Sequence, residues 1–226
     1  MAAARTEHSA AAETAPINAL TGPLIRYATD FHSRGFSPAT SSNYSARLDA
    51  DHAVITQSGR DKGALTAHDF MVVDLHGQPA TSGKPSAETL LHTLMYQREP
   101  GIGCVLHTHS PRGVVLSQLQ RGKKLVLEGW ELQKAFSGVE THASTIRVPI
   151  FDNDQDMQRL ALRVDAALDK QQRDDQARAQ PVHCFGFLLR GHGLYAWGSD
   201  IDSAARHVEA FEYLFGCELE LARLKR

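Results

Sequence analysis

The sequence predicts a single layered α/β domain, and three observations carry that expectation. Short apolar or β-branched runs such as Ala53-Val54-Ile55-Thr56, Phe70-Met71-Val72-Val73 and Ile146-Arg147-Val148-Pro149-Ile150 have the length and composition of strands. Between them lie longer stretches whose apolar residues recur at helical spacing. The 226 residues (24.8 kDa) suffice for one sizeable core, and neither an internal repeat nor a second domain is visible.

In chain order, residues 1–16 are Ala-rich with scattered Arg5, Glu7 and Glu13 and no apolar signal core, so they read as a disordered tail before a domain at 17–226. Leu20, Leu24, Tyr27, Ala28 and Phe31 mark a first helix closed by Gly35. Ser41 to Ser45 reads as a polar loop. The strand Ala53–Thr56 ends in Gln57-Ser58-Gly59-Arg60-Asp61-Lys62-Gly63, which is either an ordinary turn or a cradle of backbone N–H groups for a phosphate. After the Phe70 strand, Ser86 is a good N-cap for a helix striped by Leu90, Leu91, Leu94 and Met95. Glu88 then falls in its first turn, where it answers the helix dipole or serves a site.

Gly103-Cys104-Val105-Leu106 is a short apolar run that leads into His107-Thr108-His109. Strand alternation puts both imidazoles on one face, where they are either polar residues leaving a core strand or two corners of a metal site. A helical segment follows from Pro111 to Gln118, then a basic turn Arg121–Lys124. In Trp130-Glu131-Leu132, the flanking apolar residues suggest a partly buried carboxylate with a raised pKa, against the alternative of a solvent-facing charge. Met157, Leu160, Ala161, Val164 and Leu168 stripe another helix, and Gln171 to Pro181 reads as its frayed end plus a linker. Phe185–Leu189 and the Tyr195 run form a hairpin around Gly191-His192-Gly193, whose glycines allow a sharp bend and close strand approach. A last helix begins at Ser199, with Asp202 as capping-box partner. Three His with an open fourth position is the ligand count of a catalytic zinc.

Composition excludes several classes. A formal net charge of −2 gives no basic surface for nucleic acid. No apolar run approaches the roughly 20 residues that span a bilayer. Three cysteines, odd in number and far apart, read as free thiols of a reducing, cytoplasmic compartment.

Six motifs in order, Ser42-Asn43-Tyr44-Ser45, Ser58–Gly63, Lys84–Glu88, His107–Ser110, Trp130-Glu131-Leu132 and His192–Gly198, make the chain similar to the class II aldolase-like family of zinc enzymes. The resemblance covers roughly residues 17–226 and is nearest to a branch that dehydrates a sugar 1-phosphate. It implies a central, mostly antiparallel β-sheet covered by helices, and a homotetramer. It implies one Zn2+ per subunit held by His107, His109 and His192, and a phosphate held by Asn43, Ser58, Gly59 and Ser86. The glycines usual before the Asn are replaced here by Ser41 and Ser42. By resemblance to the dehydratases Glu131 is the acid/base group, and by resemblance to the sugar-phosphate aldolases it is Glu88, with Glu131 favoured. The substrate would carry a phosphate at C1, a carbonyl at C2 and hydroxyls at C3 and C4. The rival readings are an aldolase or epimerase on the same sites and a non-catalytic interaction module like the adducin head.

Overall fold

The computed structural model describes residues 3–176 and 182–225, with side chains from residue 16 onward and not at 176. Its strands are β1 (Asn43–Arg47), β2 (His52–Thr56), β3 (Phe70–Asp74), β4 (Cys104–Thr108), β5 (Lys124–Leu127), β6 (Thr145–Phe151), β7 (Val182–His183), β8 (Gly186–Leu189) and β9 (Gly193–Gly198). They form one sheet in the order β3-β2-β1-β4-β9-β8-β6-β5, with β7 beside β6. All pairings are antiparallel except those of β6 with β7 and β8. This is the mostly antiparallel, helix-covered α/β layering expected from the sequence.

The helices are α1 (Ala3–Ser33), α2 (Thr89–Arg98), α3 (Pro111–Leu119), α4 (Met157–Gln176) and α5 (Ile201–Leu224). Because strand side chains alternate, β4 sends Cys104 and Leu106 to one face and Val105 and His107 to the other. The first face packs with Tyr44, Leu194 and Ala196 against Leu24 and Phe31 of α1, Leu116 of α3 and Val208, Phe211 and Phe215 of α5. The second packs with Ile55, Phe187 and Trp197 against Leu91 and Met95 of α2 and Leu160 and Val164 of α4. A sheet covered on both faces explains why its strands read as unbroken apolar runs.

Several local expectations are corrected. Ser41–Ser45 is not simply a polar loop, since Asn43–Arg47 is the interior strand β1, paired with both β2 and β4. Its polar residues hid it, because their partners lie on α2 rather than in solvent. Lys124 begins edge strand β5 instead of ending a turn. α2 starts two residues later than a Ser86 cap requires, with Glu88 as N-cap and Ser86 Oγ accepting from the Glu88 N–H at 3.3 Å. The cap of α5 is Asp200, which accepts from Ser203 N–H, and Asp202 instead accepts from Arg26 and Tyr27. α1 takes up, as helical backbone, most of the stretch expected to be a tail, in keeping with the high helix propensity of Ala; its packed part begins at Ile17. Of the expected 171–181 linker, α4 covers the first half and residues 177–181 lie outside those described.

Cys104, Cys184 and Cys217 are free. Among the described residues no helix is long and apolar enough to cross a membrane.

Glu212 of α5 is buried at 1% exposure. Its Oε1 accepts from Ser110 Oγ, while its Oε2 has no partner among the described residues. Burial pushes its carboxyl up to about 7 from 4.5, against the Ser110 hydrogen bond and the charges of Arg112 and Arg34. A raised folded-state value means stabilisation present below pH 4.5 and lost as pH rises through 7. Glu212→Gln removes that dependence. Relative to wild type, its Tm should therefore improve by several degrees between pH 5 and pH 8.5, since one unit is about 1.4 kcal/mol. Parallel thermal melts check this, and a pH-independent difference refutes it.

Candidate active site

The site forms where β1, β4 and β9 end together. His107 lies opposite Asn43 on one side and Tyr195 on the other. His109 follows β4 and is anchored by its own N–H to Phe36 O at 2.8 Å. The ring Nε2 atoms of His107 and His109 are 2.8 Å apart, so the two-residue spacing does bring both imidazoles together. His192 sits in the β8–β9 turn, where Gly191 has φ +67°. A Cβ on Gly193 would lie 2.1 Å from Thr108 O, so only glycine lets β9 approach β4 this closely.

Glu88 completes the group. Its Oε1 lies 2.8 Å from His192 Nε2 and its Oε2 lies 3.7 Å from His107 Nε2. One donor atom from each of Glu88, His107, His109 and His192 falls within 4.8 Å of the others. The tautomers follow from the opposite ring nitrogens. His107 Nδ1 faces the Leu194 carbonyl at 2.9 Å and His192 Nδ1 faces Asn153 Oδ1 at 3.2 Å. A carbonyl oxygen only accepts, so neutral His107 carries its proton on Nδ1 and turns the Nε2 lone pair inward, and His192 does the same in the tautomer that donates to Asn153. Lone pairs and a carboxylate pointing at one another are unfavourable unless a cation sits among them. Metal–nitrogen bonds of about 2.0–2.1 Å in a tetrahedral centre space the donors by roughly 3.3 Å, which this group accommodates.

The protonation states agree. Burial depresses His107 well below the usual imidazole range and brings His109 down to about 4, so both are neutral donors at pH 7. Burial would raise Glu88, but the facing imidazoles of His107, His192 and His109 outweigh it and hold the carboxyl at about 2. His107 and His109 are therefore neutral nitrogen donors beside an ionised carboxylate, a set suited to a divalent metal.

Of the residues expected to hold phosphate, Asn43 and Ser86 join this group. Asn43 Nδ2 donates to Glu88 Oε2 at 2.8 Å and to Ser86 Oγ at 3.4 Å. The Ser58 N–H donates to Lys84 O at 2.9 Å, which places the Ser58–Gly59 turn beside the segment leading to Ser86. Gly59 has φ +75° with open space at its Cβ position. Ser42 takes φ +74°, so the left-handed turn before Asn43 persists without the usual glycine.

Sequence reasoning passed over Lys62, although it stands inside the Ser58–Gly63 motif. Its side chain is 1% exposed and Nζ donates to the carbonyls of Thr40 and Arg60. Burial lowers it to about 8, and it is close enough to Glu88 and His109 to act on both electrostatically.

Glu131 is placed differently from the expectation of a partly buried carboxyl with a raised pKa. It opens a 3-10 turn (Glu131–Ala135), its side chain is 73% exposed, and it bonds Lys134 Nζ at 2.6 Å with His142 Nδ1 at 3.8 Å. The Lys134 hydrogen bond lowers its pKa. The flanking apolar residues misled because only Trp130 turns inward, packing on the α5 side of the sheet with Nε1 donating to Glu218. The structure does not bring Glu131 into its own chain's histidine group.

A half-buried Glu and three His at the strand ends of a helix-covered, mostly antiparallel sheet define a metal-dependent enzyme class, and the comparisons name it. Residues 23–219 match the class II aldolase and adducin N-terminal domain, so the chain belongs to that family. Among curated relatives, a methylthioribulose-1-phosphate dehydratase of Pseudomonas aeruginosa strain PAO1 is 54% identical over 92% of this chain and 97% of its own length. One of Marinobacter nauticus is 56% identical over 86% and 90%. Solved structures share the fold. An L-fuculose-1-phosphate aldolase from Thermus thermophilus has TM-score 0.69 and 24% identity, covering 90% and 94% of the two chains. A sugar-phosphate aldolase from Thermotoga maritima has 0.58 and 18%, covering 89% and 94%.

The purified chain should therefore take up about one divalent metal per subunit. His109→Ala, which removes one of the inward nitrogens, should lose most of that metal at equal protein concentration. Elemental analysis decides, and undiminished metal in the variant refutes this donor set.

Proposed function

We propose that this protein is a zinc-dependent hydro-lyase acting on 5-methylthioribulose 1-phosphate, giving 2,3-diketo-5-methylthiopentyl 1-phosphate and water in the cytoplasmic salvage of methionine. The observation that carries the reading is the Glu88–His107–His109–His192 group in a chain more than half identical to relatives named for that activity. The family's aldolases resemble it only at the level of fold. An adducin-like interaction module would have no use for four converging donors.

When bound, the metal supplies a Lewis acid that polarises the C2 carbonyl and acidifies the C3–H. Asn43, Ser58, Gly59 and Ser86 are the groups proposed to hold the C1 phosphate, with Lys62 as the nearby cation in a chain of net charge −2. A carboxylate takes the C3 proton, the C4 hydroxyl leaves as water after receiving a proton, and the resulting enol takes a proton at C4 to become the diketone.

Glu88, half-buried and held ionised, serves as fourth donor and orients the metal side of the site. Glu131 is proposed as the acid/base group, presented to the histidine group of a neighbouring subunit in a tetramer. Its exposure supports this, as do the exposed apolar side chains Leu132 beside it, Val115 and Leu119 on α3 and Tyr213 on α5.

Turnover of this substrate, with no two- or three-carbon fragment released from fuculose 1-phosphate, is the expected assay result; aldol cleavage would reverse the reading. Glu131→Gln should lower kcat by about 10²–10⁴ with metal retained. Glu88→Gln should weaken metal binding. Co-assembling Glu131→Gln with His109→Ala subunits should restore part of the activity. Absence of recovery in mixed oligomers rules out supply from a neighbour.

A further inference from the structure

α2 lies on β1 through a row of polar contacts whose spacings match. On the α2 side β1 presents Asn43, Ser45 and Arg47, two residues apart. Facing them, Glu88 at the cap of α2, His92 and Tyr96 follow four apart. Two strand residues advance about 6.6 Å and four helical residues about 6.0 Å, so the two sets stay in step.

Asn43 Nδ2 donates to Glu88 Oε2 at 2.8 Å. Ser45 Oγ is hydrogen-bonded to His92 Nδ1 at 2.8 Å and to Tyr96 OH at 2.7 Å. Arg47 closes the row by donating to Tyr96 O at 2.7 Å and Ile102 O at 2.9 Å. Ser45 and His92 are 0% exposed and Tyr96 is 1%. Leaving polar atoms unpaired at this depth is costly, and a one-residue slip would set Tyr44 or Ala46 against His92 Nδ1 and Tyr96 OH and break the pairing. The row therefore admits one register of helix on strand. His92 also stands edge-on to Tyr195 at 5.6 Å between ring centroids, and Tyr195 stacks on His107 at 4.0 Å.

We infer that the buried Ser45–His92–Tyr96 contact is the strut that sets Glu88 over the three histidines, and that His92 is a positioning residue of the metal centre. The inference rests on the metal reading of the Glu88 group. His92 works through Nδ1, since its Nε2 is buried with no hydrogen-bond partner among the described residues. Support of this kind around a metal site is typically worth 10–100-fold in affinity.

The test is the Zn2+ dissociation constant of the full chain, measured by chelator competition without substrate, alongside Tm. His92→Leu should weaken binding about 10-fold or more. His92→Asn, whose amide reaches the place of Nδ1 and deletes the unpartnered Nε2, should bind within about threefold of wild type. Ser45→Ala should weaken binding in the same direction. Leu94→Ala, which loosens the packing of the same helix, should lower Tm and leave affinity unchanged. Unaltered affinity in His92→Leu overturns the inference, and so does an Asn variant as weak as the Leu variant. If His92→Leu fails to fold, Ser45→Ala decides, and wild-type affinity there overturns it. A wild-type chain that binds no Zn2+ overturns the metal reading itself, whereas normal wild-type binding with unaffected variants overturns this inference alone.

Discussion

The constraint on which this structure depends is the confinement of three imidazole nitrogens and a carboxylate within 4.8 Å at the strand ends, with His107 fully buried. Such a group is unfavourable unless every outward atom is satisfied and the inward atoms share a cation. The surroundings meet the first condition at two of the three rings and at the carboxylate. The Leu194 carbonyl and Asn153 take the outward Nδ1 atoms of His107 and His192, and Asn43 donates to the carboxylate. Gly193 meets a steric one, because any side chain there would push β9 away from Thr108 and carry His192 with it. Conversely, β1, β4 and β9 must end at one level for these residues to meet, which the antiparallel register of His107 with Asn43 and Tyr195 achieves.

The parts of this arrangement that were legible in the sequence follow a strict local period. His107 and His109 are two apart on an apolar strand, and Gly191-His192-Gly193 sits between two apolar runs. Strand alternation puts His107 and His109 on one face and turn chemistry exposes His192, while their meeting depends on the long-range pairing of β4 with β9. The strands at Ala53, Phe70 and Ile146 and the stripes of α1, α2, α4 and α5 were legible for the same reason. β1 was not, because Asn43, Ser45 and Arg47 give it the composition of a loop. Their partners Glu88, His92 and Tyr96 are more than forty positions away. Lys62 was missed on similar grounds, since its partners are backbone carbonyls, which leave no trace in composition.

Charge placement shows the same division between local pattern and tertiary context. With a net charge of −2, the chain has no global field to gather an anionic substrate, so any attraction must be local. Lys62 is such a charge, within electrostatic reach of Glu88 and His109. Burial lowers it to about 8, against the opposing influence of Asp61, Glu88 and Asp69, so it is still mostly protonated at neutral pH. A buried ammonium tied to the carbonyls of Thr40 and Arg60 is preorganised, which a surface lysine is not.

In the proposed reading the two candidate carboxylates divide the work. A group that donates and accepts a proton in turn works best with a pKa near the operating pH. Glu88 is far from that condition, because the imidazoles that make it a donor also hold it at about 2. A carboxylate committed to a cation cannot readily take up the C3 proton and pass one on to the C4 oxygen. Glu131 carries no such commitment. In the single chain its exposed carboxylate meets only Lys134 and, at the edge of ion-pair distance, His142. Moved under the cover of a neighbouring subunit, it would lose water, and desolvation raises a carboxyl toward neutrality. The exposure that contradicts partial burial in one chain is thus what an acid/base group shared across a subunit boundary requires. On the same proposal the half-buried Glu88 would supply the complementary property, a fixed charge that stays ionised throughout the reaction.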